Sequence, residues 1–396
     1  MTSPSLRRAW RFIFLMGVVS LLGDMTYEGG RSVSGPYLAL LGAGAVTVGF
    51  FTGLADFLGY FVRLFSGLLS DRSRAYWLLT FLGYAMILAI PFMAFAGAWP
   101  WAIACLALER IGKAVRSPAR DAILSYVTVQ TGRGKGFAFH EALDQVGAIA
   151  GPLFLSFVFY RTGGYRTGLL FLFLPAAALL AVLAFAKKEG GRVEEWEGGP
   201  SRPSWEAMRG LQRPYWLYGL FTFFSVAGFA PFVLIAFHLK VRAVATDAQI
   251  PLFFAGAMAI DGVAALIAGR AYDRTGLRSL LLVPAVTLAI PFLVFRQSLF
   301  LVMSGIGLWG LVMGIHESVM RAALGDLTPA GVRGSAYGVF NTLYGLGSLV
   351  SGLTVGLLYQ TRPFFIPVFV LVAEAAAAAC LVLLRREAPP AGWRTA

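Results

Sequence analysis

The amino-acid sequence predicts an all-α membrane fold of twelve transmembrane helices arranged as two six-helix bundles. Three observations predict it: an apolar composition, twelve apolar windows of spanning length, and two loop motifs that recur about 200 residues apart. Apolar residues fill 58% of the 396 positions and the mean hydropathy is +0.72, against about 45 to 50% apolar content in soluble domains. Most of the chain is therefore expected to be solvated by lipid. No small-residue cleavage site follows a short apolar core near the start, so the first span is expected to be retained.

A helix needs about 20 apolar residues to cross a hydrocarbon layer of about 30 Å. Windows that meet this in the first half cover 10–40, 48–70, 77–96, 99–125, 136–160 and 167–186. Those in the second half cover 214–238, 250–270, 280–295, 298–323, 334–359 and 364–384. The expected division is thus a bundle over 1–186, a hydrophilic linker over 187–213 with Glu194, Glu195 and Glu197 among Gly, Pro and Arg, and a second bundle over 214–396. Trp10, Trp77, Trp99, Trp101 and Trp216 stand near span ends, where amphipathic rings anchor at headgroups. Trp309, Phe229 and Phe340 lie deeper and either line an apolar cavity or pack the core.

The net charge of +13 would suggest a nucleic-acid partner in a soluble protein, but the basic residues lie between the spans. With the N terminus inside, 24 Lys and Arg fall on the inner side, six on the outer side, and Arg31, Arg63 and Arg110 within spans. Basic residues are retained on the cytoplasmic side during insertion, so both termini and the linker are expected in the cytoplasm of a multi-pass inner-membrane protein. Topology accounts for the charge, and no nucleic-acid partner is expected. Cys105 and Cys380 sit inside apolar runs as small hydrophobes, with no disulfide framework or zinc spacing.

An internal repeat narrows the architecture. Gly67, Asp71, Arg72 and Arg74 after the second span are matched by Gly269, Asp273, Arg274 and Arg278 after the eighth. Arg133-Gly134, Leu143 and Gly147 are matched by Arg333-Gly334, Leu343 and Gly347. Two halves in the same orientation are the mark of a parallel repeat, with a binding site near the midplane at the repeat interface.

Ionisable groups at membrane depth each cost about 2.5 to 3.5 kcal/mol on insertion scales unless paired or hydrated, so their positions point to chemistry. Asp24, Glu28 and Arg31 share one face of the first span, with Tyr27 beside them. Glu109 and Arg110 lie near mid-depth in the fourth, and His140, Glu141 and Asp144 fall close together in the fifth. The second half offers Asp261 in the eighth span, His316, Glu317 and Arg321 in the tenth, Asn341 in the eleventh and Glu374 in the twelfth. Glu317 with Arg321 fits a structural ion pair as well as a functional one, Arg63 fits snorkelling to the inner interface, and Glu374 fits helix packing as well as function.

The Gly-x-x-x-Asp-Arg loops resemble the loop motif of the major facilitator superfamily, and the resemblance covers essentially the whole chain. It implies a cytoplasmic latch in which Asp71, Arg72 and Arg74 face Asp121, and Asp273, Arg274 and Arg278 face Asp326. The first copy departs from the pattern, with Arg74 at the expected glycine position and Ala75 at the expected arginine position. Three further runs, Asp24 to Tyr37, Glu109 to Asp121 and His140 to Pro152, resemble a prokaryotic branch of the superfamily with mostly unassigned substrates. Arg110 matches a fourth-helix arginine that drug/proton antiporters of the superfamily use in coupling. Gly147 to Pro152 resembles their fifth-helix antiporter motif, although Phe154, Leu155 and Ser156 replace the glycine pair that often follows.

The resulting expectation is a monomeric secondary active transporter, not an enzyme, that works by alternating access and exports a small organic molecule in exchange for protons. No cofactor and no resident metal are implied. A divalent-metal exporter is the alternative that His140, Glu141 and Asp144 raise. A membrane-embedded enzyme or sensor is the alternative from another class, and no nucleophile signature, His-Glu-x-x-His run or nucleotide loop supports it.

Overall fold

The computed structural model describes residues 4–73, 75–128, 131–190, 212–328 and 333–387, and every regular element among them is helical. In chain order these are α1 (Pro4–Leu40), α2 (Ala45–Ser73), α3 (Tyr76–Ala85), α4 (Ala89–Phe92), α5 (Trp99–Thr128), α6 (Arg133–Thr162), α7 (Tyr165–Phe171) and α8 (Phe173–Gly190). They continue with α9 (Arg213–Gly228), α10 (Phe232–Val241), α11 (Gln249–Thr275), α12 (Leu282–Thr287), α13 (Ile290–Val294), α14 (Leu299–Asp326), α15 (Arg333–Thr361) and α16 (Ile366–Glu387). In lipid the backbone must satisfy itself, which is why apolar runs of this length become helices.

Ten segments among the described residues are long and apolar enough to cross a membrane. Two places account for the difference from the twelve expected. Gln249–Val294 runs through 46 residues as one helical segment, taking in the windows at 250–270 and 280–295. Trp99–Thr128 is a continuous helix of 30 residues, but Glu109, Arg110, Lys113, Arg116, Arg120 and Asp121 make it too polar to qualify on composition.

The chain forms two compact units, Met1–Val33 with Val62–Arg202, and Ser34–Phe61 with Pro203–Ala396. The second unit thus takes in residues 34–61 of α1 and α2 besides the second half of the chain. Most of the linker expected over 187–213 lies outside the described residues.

In the first unit, Phe12, Ile13, Met16 and Val19 of α1 pack with Tyr84 and Ile87, with Ile123 and Val127 of α5, and with Leu179 and Leu183 of α8. Lipid tails are as apolar as these side chains, so helices associate through close packing and small residues instead of a hydrophobic driving force. Gly147 and Gly151 of α6 show this: an added Cβ would collide with the carbonyls of Leu21 and Met25 on α1. The absence of side chains there brings the α1 and α6 backbones into contact and fixes the register of their polar residues. Leu78, Leu174, Leu266 and Val372 are more than 60% exposed, a surface suited to acyl chains.

The second unit contains a helix break. Gly228 ends α9 and Pro231, which has no N–H, precedes α10. Carbonyls in the break are served by side chains from other helices: Ser351 Oγ donates to the Phe229 carbonyl at 2.8 Å and Trp309 Nε1 to that of Ala230 at 2.9 Å. Trp309 is 1% exposed and stacks on Phe229 with ring centroids 5.2 Å apart, while Phe340 stacks on Tyr218 at 6.0 Å. All three deep aromatic residues pack against neighbouring rings.

Candidate functional site

The first unit gathers ionisable groups from α1, α5 and α6. On α1, Glu28 is buried and meets Arg31 at 3.4 Å, one turn away. Tyr27 is buried and its ring lies under two cations of α5, with Arg110 Cζ 4.7 Å and Lys113 Nζ 4.0 Å from the centroid. Such contacts stabilise a desolvated cation by up to about 2 kcal/mol, so an aromatic ring holds two positive charges without neutralising them. Asp24, half-buried on the same helix, precedes Tyr27 by three residues.

On α5, Glu109 is 1% and Arg116 2% exposed. Arg116 Nη2 reaches Glu109 Oε1 at 3.5 Å and Nη1 donates to the Gly83 carbonyl at 3.4 Å. The guanidinium also lies over Tyr84, 4.8 Å from the ring centroid. Seven residues is two helical turns, so the long arginine folds along its own helix to neutralise the acid.

Three helices meet at Arg120. It pairs with Asp121 at 2.9 Å, donates to Ser20 Oγ of α1 at 3.1 Å and lies 3.9 Å from Asp144 Oδ2 of α6. The same Asp144 oxygen is 3.7 Å from His140 Nδ1, and His140 is buried. Glu141 is exposed, whereas His140 is buried and Asp144 half-buried. Among the described residues, no three of His, Cys, Asp and Glu converge as a metal-ligand set.

In the second unit, Asp261 of α11 and His316 of α14 are buried. His316 Nε2 is 3.3 Å from Ser225 Oγ, and its ring meets Phe229 edge-on at 5.1 Å. Asn341 is half-buried on α15, and Glu317 is exposed. Of the latch expected after the eighth span, Asp273, Arg274 and Arg278 are exposed, and Asp326 accepts a hydrogen bond from Tyr272 Oη at 2.8 Å. In the first latch Asp121 is the partner of Arg120, the side chains of Asp71 and Arg72 are outside the described set, and so is Arg74 altogether.

Arg116, Arg120, Lys113 and Tyr272 were not singled out from sequence as site residues. Arg116 stands seven positions after Glu109, on the same helical face, and that spacing was the available signal.

The family model described as Major Facilitator Superfamily matches residues 12–260 and 237–396. An uncharacterized protein of Mycobacterium tuberculosis is 40% identical over 395 residues, covering 98% of this chain and 96% of that protein. An uncharacterized MFS-type transporter of Methanocaldococcus jannaschii is 25% identical over 367 residues, covering 89% of each. Among solved structures, a bacterial homologue of the human lysosomal transporter Spinster, inward-facing and occupied, aligns with a TM-score of 0.73 at 14% identity over 100% of both chains. The nucleoside transporter NupG aligns with a TM-score of 0.71 at 13% identity over 95% of this chain and 98% of its own. At that identity the likeness is one of fold.

Proposed function

The chain belongs to the major facilitator superfamily, and from that premise we propose that it is a proton-coupled exporter of a small organic molecule, working by alternating access through twelve spans as a monomer. The observation that carries the reading is the convergence on Arg120 and Asp144. A carboxyl and a histidine within the Lys135–Thr162 span meet a guanidinium of α5, held by the glycine contact between α1 and α6. A nearby cation favours the ionised carboxylate and desolvation favours the protonated one, so a movement of Arg120 relative to Asp144 is a physical means of loading and releasing a proton. Tyr27 with Arg110 and Lys113, beside Asp24, supplies an aromatic and charged surface for the cargo. Solved relatives in fold include transporters of nucleosides, peptides and organic anions, all small organic solutes. Asp71, Arg72 and Arg74 with Asp121, and Asp273, Arg274 and Arg278 with Asp326, form the cytoplasmic latch in this reading, and the Tyr272 to Asp326 bond supports the second of the two. The deciding measurement is solute flux in proteoliposomes with an imposed pH gradient, screened over nucleosides, short peptides and organic anions. A flux indifferent to the gradient for every transported solute rejects proton coupling.

Orientation belongs to the same proposal. Cysteines introduced at Gly199 and Ala391 are expected to be protected from an impermeant thiol reagent added outside intact cells, whereas Gly97→Cys is expected to react. Labelling at Gly199→Cys from outside would reverse the assignment of every span.

A further inference from the structure

Glu374, on the last described helix, is 0% exposed, and among the described residues neither of its carboxyl oxygens has a hydrogen-bond partner. Its position is set by a notch in the neighbouring helix. A Cβ at Gly228, the last residue of α9, would lie 2.7 Å from Glu374 Oε1 and 3.2 Å from its Cδ, so the carboxyl rests against glycine backbone where any larger residue would displace it. The notch is the helix break at residues 228–231.

Charged groups on the elements packed against α16 lie far along the helices from this point. α9 carries Arg213, which pairs with Glu387 at 2.8 Å, and the buried Tyr215 and Tyr218, which donate to the carbonyls of Ala336 and Met320. α12 and α13 carry no ionisable side chain, and neither does the turn Pro363–Phe365. Among its described side chains α15 contributes Tyr337, Tyr344 and Tyr359. On α16 itself Cys380 lies six positions on, and Arg385, Arg386 and Glu387 stand at its inner end. A metal cation is also poorly served, because the Phe229 and Ala230 carbonyls freed by the break already accept from Ser351 and Trp309. An isolated ionised carboxylate is not tolerated in such a place and neutralises by taking up a proton.

We propose that Glu374 is a second, exchangeable proton-binding site, in the second unit, occupied while its carboxyl is seated in the Gly228 notch and separate from the Asp144 cluster. Releasing the proton requires water to reach the carboxyl, hence separation of α16 from the α9–α10 break. Proton occupancy and helix packing are thereby linked in a region that the coupling reading does not use.

The test is labelling of the full-length wild-type protein in membranes with a hydrophobic carbodiimide, which reacts with protonated carboxyls in apolar surroundings, followed by mass spectrometry of the peptide containing Glu374. Glu374→Gln identifies the peptide by loss of the label. Modification is expected at acidic and neutral pH, falling about tenfold per pH unit once the proton is lost, with the same profile in Asp144→Asn. A Glu374 unmodified at every pH while Asp144 reacts would overturn the site. Labelling that does not vary with pH would show a fixed proton and overturn exchange. A profile displaced by Asp144→Asn would overturn the separation of the two sites.

Discussion

Replacing Arg116 by methionine is expected to produce the largest loss of stability of any single polar substitution in the first unit. The side chain is 2% exposed and its partner Glu109 is 1% exposed, so methionine takes the hydrogen-bonded cation from a buried carboxyl and leaves Lys113 as the remaining cation near it. Removing one partner of a buried pair costs about 3 to 5 kcal/mol. The contact of 3.5 Å is longer than an ideal charged hydrogen bond, which places the expectation near the lower end of that range. The guanidinium also serves the Gly83 carbonyl and covers Tyr84, so part of the loss comes from those contacts. Glu109→Gln is expected to be destabilising as well, because it leaves the cation buried. The double variant Glu109→Gln with Arg116→Met removes both charges and is expected to recover about 1 to 3 kcal/mol relative to the sum of the singles. Thermal unfolding in detergent, followed by the onset of aggregation, measures all three. Strict additivity would mean that the two residues do not act as a pair.

Much of the fold is legible along the chain because membrane helices are written as long apolar runs with polar and basic punctuation. The places that resisted have local causes. Glu109, Arg110, Lys113, Arg116, Arg120 and Asp121 lower the apolarity of α5, and a helical turn over Gly276–Leu281 carries the chain past Arg270, Asp273, Arg274 and Arg278, so that the windows at 250–270 and 280–295 run as one helical segment. The break between α9 and α10 is carried only by Gly228 and Pro231 in an otherwise uninterrupted apolar run, and the side chains that make it tolerable, Ser351 and Trp309, lie on other helices.

The site was legible residue by residue on single helices and illegible between them. Helical spacing places Asp24, Tyr27, Glu28 and Arg31 together, and the structure pairs Glu28 with Arg31. Spacing cannot tell which helix rotation brings Arg120 to Asp144, since that depends on the close approach at Gly147 and Gly151. It likewise placed Glu141 on the same turn as His140 and Asp144, whereas packing turns Glu141 outward. Glu374 illustrates the limit most plainly: its sequence neighbours are alanines, and only the position of Gly228 on another helix explains where its carboxyl sits.

Gradient-driven transport is expected to depend on the first unit and to survive neutralisation of buried acids in the second. The first unit holds Glu28, Glu109 and Asp144 near opposite charges, which is what an acid needs if its proton is to be exchanged by moving a neighbour, and it holds Arg110 over the Tyr27 ring. Asn or Gln at the acids and Gln at Arg110, tested singly, are expected to abolish the response to a pH gradient in at least two cases, with the protein still folded and inserted. Asp144→Asn is the foremost of them, because it removes the carboxyl that Arg120 and His140 share. Loss of a coupling carboxyl stops net gradient-driven flux but permits exchange of solute for solute, so counterflow is expected to persist in Asp144→Asn. Asp261→Asn is expected to change the apparent KM for solute more than its pH dependence. Glu374→Gln is expected to retain the gradient response, since glutamine reproduces the neutral form of the acid. Flux in proteoliposomes of each variant, with and without an imposed gradient, decides the matter. If gradient-driven flux survives all four first-unit substitutions and vanishes with Asp261→Asn or Glu374→Gln, the coupling chemistry lies in the second unit and the role assigned to Arg120 and Asp144 is wrong.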